Sequence, residues 1–296
     1  DWRDEDEELT EQGAETETYS RADRPYCAKN APFATPEELR LVYGVEAGLL
    51  FGKDTNLNGI VEDHEEAPRF SLLRLQSQPA CDHGWLEYVT VWSREPNTRA
   101  DGSQRVNVNG NDPNALSQLL RQTFDASTAE RVIAAMPPGT QRHASLLQFY
   151  SASGLTPEQF AQVADALTTT DEAQQIGLVN VNSAPAAVLA CLPGIDETAA
   201  ERLVAYRQAN EEGLESIAWV MQVLEIEQAQ QAGPYLTTKS YQFSADIAAV
   251  GAGGRGYRRV LFELDTSGED VRVLYRRDRT GLGWALANTL DGNSNE

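Results

Sequence analysis

Residues 54–65, Asp54-Thr-Asn56-Leu-Asn58-Gly59-Ile60-Val61-Glu62-Asp63-His64-Glu65, set oxygen-bearing groups at the spacing a hard cation requires. Asp54, Asn56 and Asn58 supply side-chain oxygens, Gly59 permits a sharp turn, and Ile60 offers its backbone carbonyl. Val61 is the apolar residue of such a loop, Glu62 stands where a ligand often acts through water, and Glu65 can bind with both oxygens. The chemistry implied is calcium binding, because Ca2+ takes six to eight oxygens at about 2.3–2.6 Å. One Asp and two Asn bring few charges to the first half of the loop, so the expected dissociation constant is modest, ~10⁻⁵–10⁻³ M. Pro68 stops any long exiting helix, which makes this a lone structural loop and not one of a sensor pair. The competing reading is a solvated Asn/Asp/Gly turn.

A second oxygen-rich set lies at the start of the chain. Asp1-Trp2-Arg3-Asp4-Glu5-Asp6, followed by Gly13-Ala14-Glu15, offers Asp4, Asp6 and Glu15 as ligands. The default for so acidic a run over the first thirty residues is a solvated loop. Other motifs dissolve on inspection. Gly251-Ala-Gly253-Gly-Arg-Gly256 matches a dinucleotide fingerprint in letters, yet it joins two strands and so reads as a hairpin loop. Lys53 follows Gly52 without a phosphate loop, and His64, His83 and His143 share no ligand spacing with one another. No nucleophile, base and oxyanion set emerges, so no enzyme and no small-molecule substrate is expected.

Charge narrows the partners. The 296 residues carry a formal charge of −21, which disfavours nucleic acid and anionic membranes and favours divalent cations and basic protein surfaces. No stretch approaches the roughly 20 apolar residues of a membrane span, and the chain starts at Asp1, which reads as a processed or truncated product. Cys27 and Cys81 lie in polar, turn-rich surroundings and would be free to form a disulfide in an oxidising compartment, whereas Cys191, in an apolar run, is expected to be buried.

The elements that position these residues follow from capping and periodicity. Thr35-Pro36-Glu37-Glu38 reads as a capped helix start, and Thr156-Pro157-Glu158-Gln159 as a capping box. Arg105-Val106-Asn107-Val108-Asn109 is echoed by Leu178-Val179-Asn180-Val181-Asn182. A proline-led helix follows each, then an Asp-capped helix with Ala-Glu-Arg inside (Asp125 to Val132; Asp196 to Leu203). The repeat predicts two related helix-hairpin units within a mainly helical stretch from 35 to 233. Leu192-Pro193-Gly194-Ile195 resembles the turn of a helix-hairpin-helix, which elsewhere meets DNA phosphates. The acidic helix after it (Glu197, Glu201) favours packing instead. From Tyr241 to Tyr275, period-two alternation predicts three strands of a β-meander, too small to stand alone.

Taken in order, these segments resemble minor pseudopilin K of type II secretion, the general secretion pathway protein K family. The resemblance rests on Asp1-Trp2-Arg-Asp4-Glu-Asp6 with Gly13-Ala14-Glu15, on Ala34 to Gly44, on Val179-Asn-Val-Asn182 through Ile195, and on the strands from Ser240 to Arg277. It implies an α+β fold. A pilin-like domain (1–33 and 234–296, its N-terminal hydrophobic helix absent) is interrupted by a helical domain (34–233) carrying the calcium loop. It also implies a periplasmic protein anchored in the inner membrane, sitting with minor pseudopilins I and J at the pseudopilus tip, and having calcium sites. The loop at 54–65 departs from the family pattern. A rival reading is a periplasmic helix-hairpin-helix protein of DNA binding and uptake.

Overall fold

The computed structural model describes residues 1–11, 13–54, 57, 84–110, 112–135 and 142–283. Asn56, Asn58, Ile60, Glu62 and Glu65 of the calcium loop, and Cys81, lie outside the described residues. No helix among the described residues is long and apolar enough to cross a membrane.

The acidic N-terminal run is folded, contrary to the solvated-loop expectation. Trp2, Ala14 and Tyr19 are buried as a small core, with Tyr19 on helix α1 (Thr16–Ser20). The Trp2 and Tyr19 rings meet edge to face at 5.1 Å, an arrangement the ring quadrupoles favour. Three aromatic or apolar anchors at spaced positions order the segment, while Asp6, Glu7, Glu8 and Glu11 stay exposed. Pro36–Leu41 winds as a 3-10 helix, and the Thr35 side chain makes no cap bond. The Glu38 N–H donates instead to the Thr35 carbonyl at 3.2 Å, while the Glu38 carboxylate accepts the Ala34 N–H at 3.2 Å and pairs with Lys29 at 2.6 Å. Helix α2 (Ala47–Phe51) closes this stretch, with Leu50 buried.

From Ser93 onward a second compact unit begins. Strand β1 (Arg94–Pro96) pairs antiparallel with β4 (Gln174–Ile176). The echo seen in the sequence has a structural counterpart. Strand β2 (Val106–Asn107) pairs in parallel with β3 (Leu167–Thr168), and β5 (Val179–Asn180) pairs in parallel with β6 (Leu236–Thr237). Parallel pairing demands a long crossover, and helices provide it in both copies. In the first these are α3 (Pro113–Thr123), α4 (Ala126–Ala135), α5 (Leu146–Ser153) and α6 (Pro157–Ala164). In the second they are α7 (Ala186–Leu189), α8 (Glu197–Ala209), a 3-10 turn at Ile217–Gln222 and α9 (Ile226–Ala232).

The local signals explain these boundaries. Asp125 accepts the Ser127 and Thr128 N–H groups, and Asp196 accepts that of Ala199 at 2.7 Å, so both predicted Asp caps form. The Thr156/Gln159 capping box is complete. Leu120, Val132, Leu147, Phe149, Phe160 and Leu203 are fully buried in the shared core.

Equivalent asparagines tie each copy together. Asn107 and Asn180 each accept, at 2.9 Å, the N–H of the asparagine two residues on. That second asparagine then reaches across the unit. Asn109 donates to the His143 and Thr169 carbonyls at 2.9 and 3.0 Å, while Asn182 donates to Leu214 O at 2.8 Å. An ionic knot, buried at Arg105 and Glu95 and partly exposed at Lys239 and Asp165, joins the ends of the copies. Arg105 pairs with Glu95 at 2.8 Å, the Thr237 hydroxyl donates to the same carboxylate at 2.6 Å, and Lys239 pairs with Asp165.

Three long strands finish the described chain: β7 (Gln242–Val250), β8 (Tyr257–Asp265) and β9 (Arg272–Asp278). They form an antiparallel sheet with β8 in the centre, as the alternation predicts. The Gly251 N–H donates to Gly256 O at 2.9 Å, so the glycine-rich run is a hairpin loop. Ser244–Leu264 and the described residues from Val273 belong to the compact unit that contains the described part of 1–92. Within it, Ser244 and Asp246 share one sheet face with Arg259, Leu261 and Glu263. Ala245 and Ile247 alternate onto the other, where Ile247 remains exposed.

Candidate metal centre

The N-terminal segment brings carboxylates together. One oxygen each from Asp1, Asp4 and Glu15 lie within 4.8 Å of one another. Asp1 is oriented by Thr10, whose hydroxyl donates to it at 2.6 Å and whose N–H donates at 3.3 Å. Gly13 is required by this approach: a Cβ there would lie 1.8 Å from Asp1 Oδ2. The Gly13-Ala14-Glu15 sequence therefore lets the chain pass against one carboxylate, buries Ala14, and delivers the next carboxylate from just before α1.

Glu15 is the informative side chain. It is only 4% exposed, and neither of its carboxylate oxygens has a hydrogen-bond partner. Asp4 Oδ1 is likewise buried and unpartnered. A buried carboxylate is ordinarily hydrogen-bonded or paired, because its desolvation is costly. Burial pushes the Glu15 pKa above its ordinary value, and the carboxylates of Asp4, Glu7 and Asp6 push it further against the amino group of Asp1. That amino group lies 3.1 Å from Asp4 Oδ2. A divalent cation would satisfy these orphaned oxygens and reverse the repulsion. The donors are all hard oxygens, which suits calcium better than a soft-ligand metal.

Of the sequence-predicted ligands, Asp4 and Glu15 meet. Asp6 is exposed, and its carboxylate accepts the Glu8 N–H at 2.8 Å. Asp1 is the member that spacing alone did not select; the Cβ-free Gly13 opposite it was the available signal.

Asp54, the first residue of the 54–65 loop, is 3% exposed and lines a cleft with Leu57, Asp246, Glu263 and Arg279. Leu57, the loop's fourth residue, has φ 55°, a left-handed conformation uncommon outside glycine. Arg259 is 1% exposed and donates from Nε and Nη2 to Asp246 at 2.8–3.1 Å. Its Nη2 also donates to the Leu57 carbonyl. Arg279 donates to Asp246 at 2.8 Å. Burial alone would raise the Asp246 pKa, but the bonds and charges of the two guanidiniums hold it below the ordinary value.

One expectation needs adjustment. Cys191 is exposed, because it falls just beyond the short α7 with its thiol over the Ala187 carbonyl. The turn at Leu192–Ile195 is occupied by its own fold: a Cβ on Gly194 would lie 2.9 Å from Gln231 Cβ and 3.0 Å from Gln228 O of α9. That glycine serves close packing.

Family comparison bears on the same segments. A model described as type II secretion system protein K, first part, matches residues 1–50, and a second, described as type II secretion system protein K, matches residues 179–239. In these two segments the chain is similar to type II secretion system protein K. The first match contains the Asp1/Asp4/Glu15 cluster, and the second spans the whole β5-to-β6 copy. Residues 51–178 and 240–296 lie outside both. No curated protein and no solved structure matches. Protein K is a structural component of the secretion machinery and not a known enzyme family.

Proposed function

We propose that this chain is the extracytoplasmic part of a minor pseudopilin that caps and helps initiate the type II secretion pseudopilus, braced by calcium. The two protein K matches, in order, support the assembly role. The orphaned, buried Glu15 carboxylate beside Asp1 and Asp4 carries the calcium reading. On this reading Asp1, Asp4 and Glu15 hold one ion, with Asp6 near enough to add charge. Asp54, Asn56, Asn58, Ile60, Glu62 and Glu65 hold another. Calcium does no chemistry here; it neutralises carboxylates and fixes loops, stabilising the folded state by RT ln(1 + [L]/Kd).

The partners are minor pseudopilins I and J, with an inner-membrane anchor through an N-terminal helix. The apolar sheet face containing Ala245, Ile247, Val260 and Phe262 is the surface a pilin-like helix would cover. The bulk of the helical region would block addition of a further subunit above it. The test of the calcium reading is a melting curve with calcium and with chelator, for wild type and Glu15→Gln. Calcium should raise the wild-type Tm, and Glu15→Gln should remove part of that shift while melting higher than wild type in chelator. An unchanged calcium shift in Glu15→Gln would contradict the site.

A further inference from the structure

We propose that the cleft lined by Glu37, Tyr88, Trp92, Glu263 and Tyr275 receives a basic side chain, lysine or arginine with apolar neighbours, from a partner protein. The segments that line it belong to one compact unit. The cleft has a volume of about 470 Å³, within the ordinary range of a binding site. Leu50 and Leu261, 1% and 8% exposed, give it apolar wall, and Tyr88, Trp92 and Tyr275 give it aromatic wall. The Trp92 and Tyr275 rings stack with centroids 5.9 Å apart and planes 27° apart. Aromatic faces carry negative potential and attract a cation within about 6 Å.

Charge decides the sign of the occupant. Among the described lining residues, five carboxylates stand against one guanidinium, that of Arg279. Asp246 is held by Arg259 and Arg279, and Glu37 gives its Oε1 to Arg277. Left over are Glu37 Oε2, buried and without a hydrogen-bond partner, and the Glu263 carboxylate, which accepts the neutral Ser244 hydroxyl at 2.6 Å. Burial pushes the Glu263 pKa up, and the Glu37 charge adds to this against the Ser244 bond and the Arg279 charge. A cation seated here gives Glu37 Oε2 its missing donor and relieves the repulsion between the two carboxylates. An anion or an uncharged apolar group does neither. A bare metal ion has no use for the aromatic and apolar wall, whereas a lysine or arginine lays its methylene stem along such a surface.

The test is an NMR titration of the whole chain with the peptide acetyl-Leu-Lys-Leu-amide, followed on the Trp92 indole N–H. It is run in chelator, so that no metal ion competes for the carboxylates. A second peptide carries glutamine in place of lysine. The lysine peptide should shift the Trp92 signal and bind at least about tenfold more tightly than the glutamine peptide, the ratio expected of one charge-assisted bond. Glu263→Gln should weaken the lysine peptide by about tenfold and leave the glutamine peptide unchanged. Asp278→Asn, at a carboxylate that pairs with Arg258 and does not line the cleft, should change neither. Equal binding of the two peptides, or binding of neither, overturns the proposal. Lysine binding undiminished in Glu263→Gln overturns it as well. Should Glu263→Gln not fold, the comparison of the two peptides on the unaltered chain decides by itself.

Discussion

Replacing Asn182 by alanine should destabilise the helical unit by an amount its hydrogen bonds define. The Asn182 side chain accepts the indole N–H of Trp219 at 3.0 Å and donates to Leu214 O at 2.8 Å. Trp219 is 4% exposed, so its N–H would lose its partner where water has little access. An orphaned buried donor costs about 1–3 kcal/mol. Leu214 is only partly buried, and its carbonyl can recover a bond to water, which adds about 1 kcal/mol. The expected loss is therefore about 2–4 kcal/mol, or roughly 4–15 °C in Tm for a unit of this size. The assay is urea unfolding of Asn182→Ala, Trp219→Phe and the double variant. Trp219→Phe removes the N–H but keeps a ring to lie against Tyr206, whose plane is within 1° of the indole's. The double variant should thus be more stable than the sum of the single losses predicts. Strict additivity, or a loss below about 0.5 kcal/mol for Asn182→Ala, would refute the assignment of this asparagine as the brace of its copy.

Three further outcomes follow from the same structure. Glu65→Ala should lower Tm in calcium but not in chelator; equal losses in both media would remove Glu65 from the proposed ligands. Gly13→Ala, which would press on Asp1 Oδ2, should lower calcium affinity more than it lowers far-UV helicity, as read by titration and circular dichroism. The pH response should have two parts of opposite sign. Glu15 has a raised pKa in the folded state, so without calcium its contribution is most favourable below its ordinary 4.5 and is lost as pH rises through the raised value. Asp246 has a lowered pKa, so its contribution is present above its ordinary 3.8 and is lost as pH falls through the lowered value. Thermal melts across pH for Glu15→Gln and Asp246→Asn should each flatten one limb, and a profile unchanged by both would contradict these shifts.

What the sequence revealed was mostly local. The caps at Asp125, Thr156 and Asp196 form as their spacing predicts, because a side chain and an N–H two or three residues away need nothing else to meet. The three C-terminal strands were legible from alternation, and the echo of Val-Asn-Val-Asn pointed to related units. Pairings across long separations were not legible. Leu167-Thr168 and Leu236-Thr237 are two-residue strands, too short for a period to show, and they pair with Val-Asn segments about sixty residues earlier. The Thr35 hydroxyl makes no cap bond, and the Glu38 N–H donates instead to the Thr35 backbone carbonyl at 3.2 Å. At the N-terminal carboxylate cluster, spacing gave Asp4 and Glu15, but Asp1 needed the fold. Its carboxylate is turned inward by Thr10 across a gap that only Gly13 leaves open. Arg259 lies beyond any sequence pattern, since its partner Leu57 shares no motif with it.

Purified chain, mixed with the periplasmic parts of minor pseudopilins I and J from the same secretion system, should co-elute with them as one species on size-exclusion chromatography with light scattering. That species should form in calcium and weaken in chelator. Separate elution of all three in calcium, with each protein folded by circular dichroism, would contradict the proposed place of this chain in the pseudopilus.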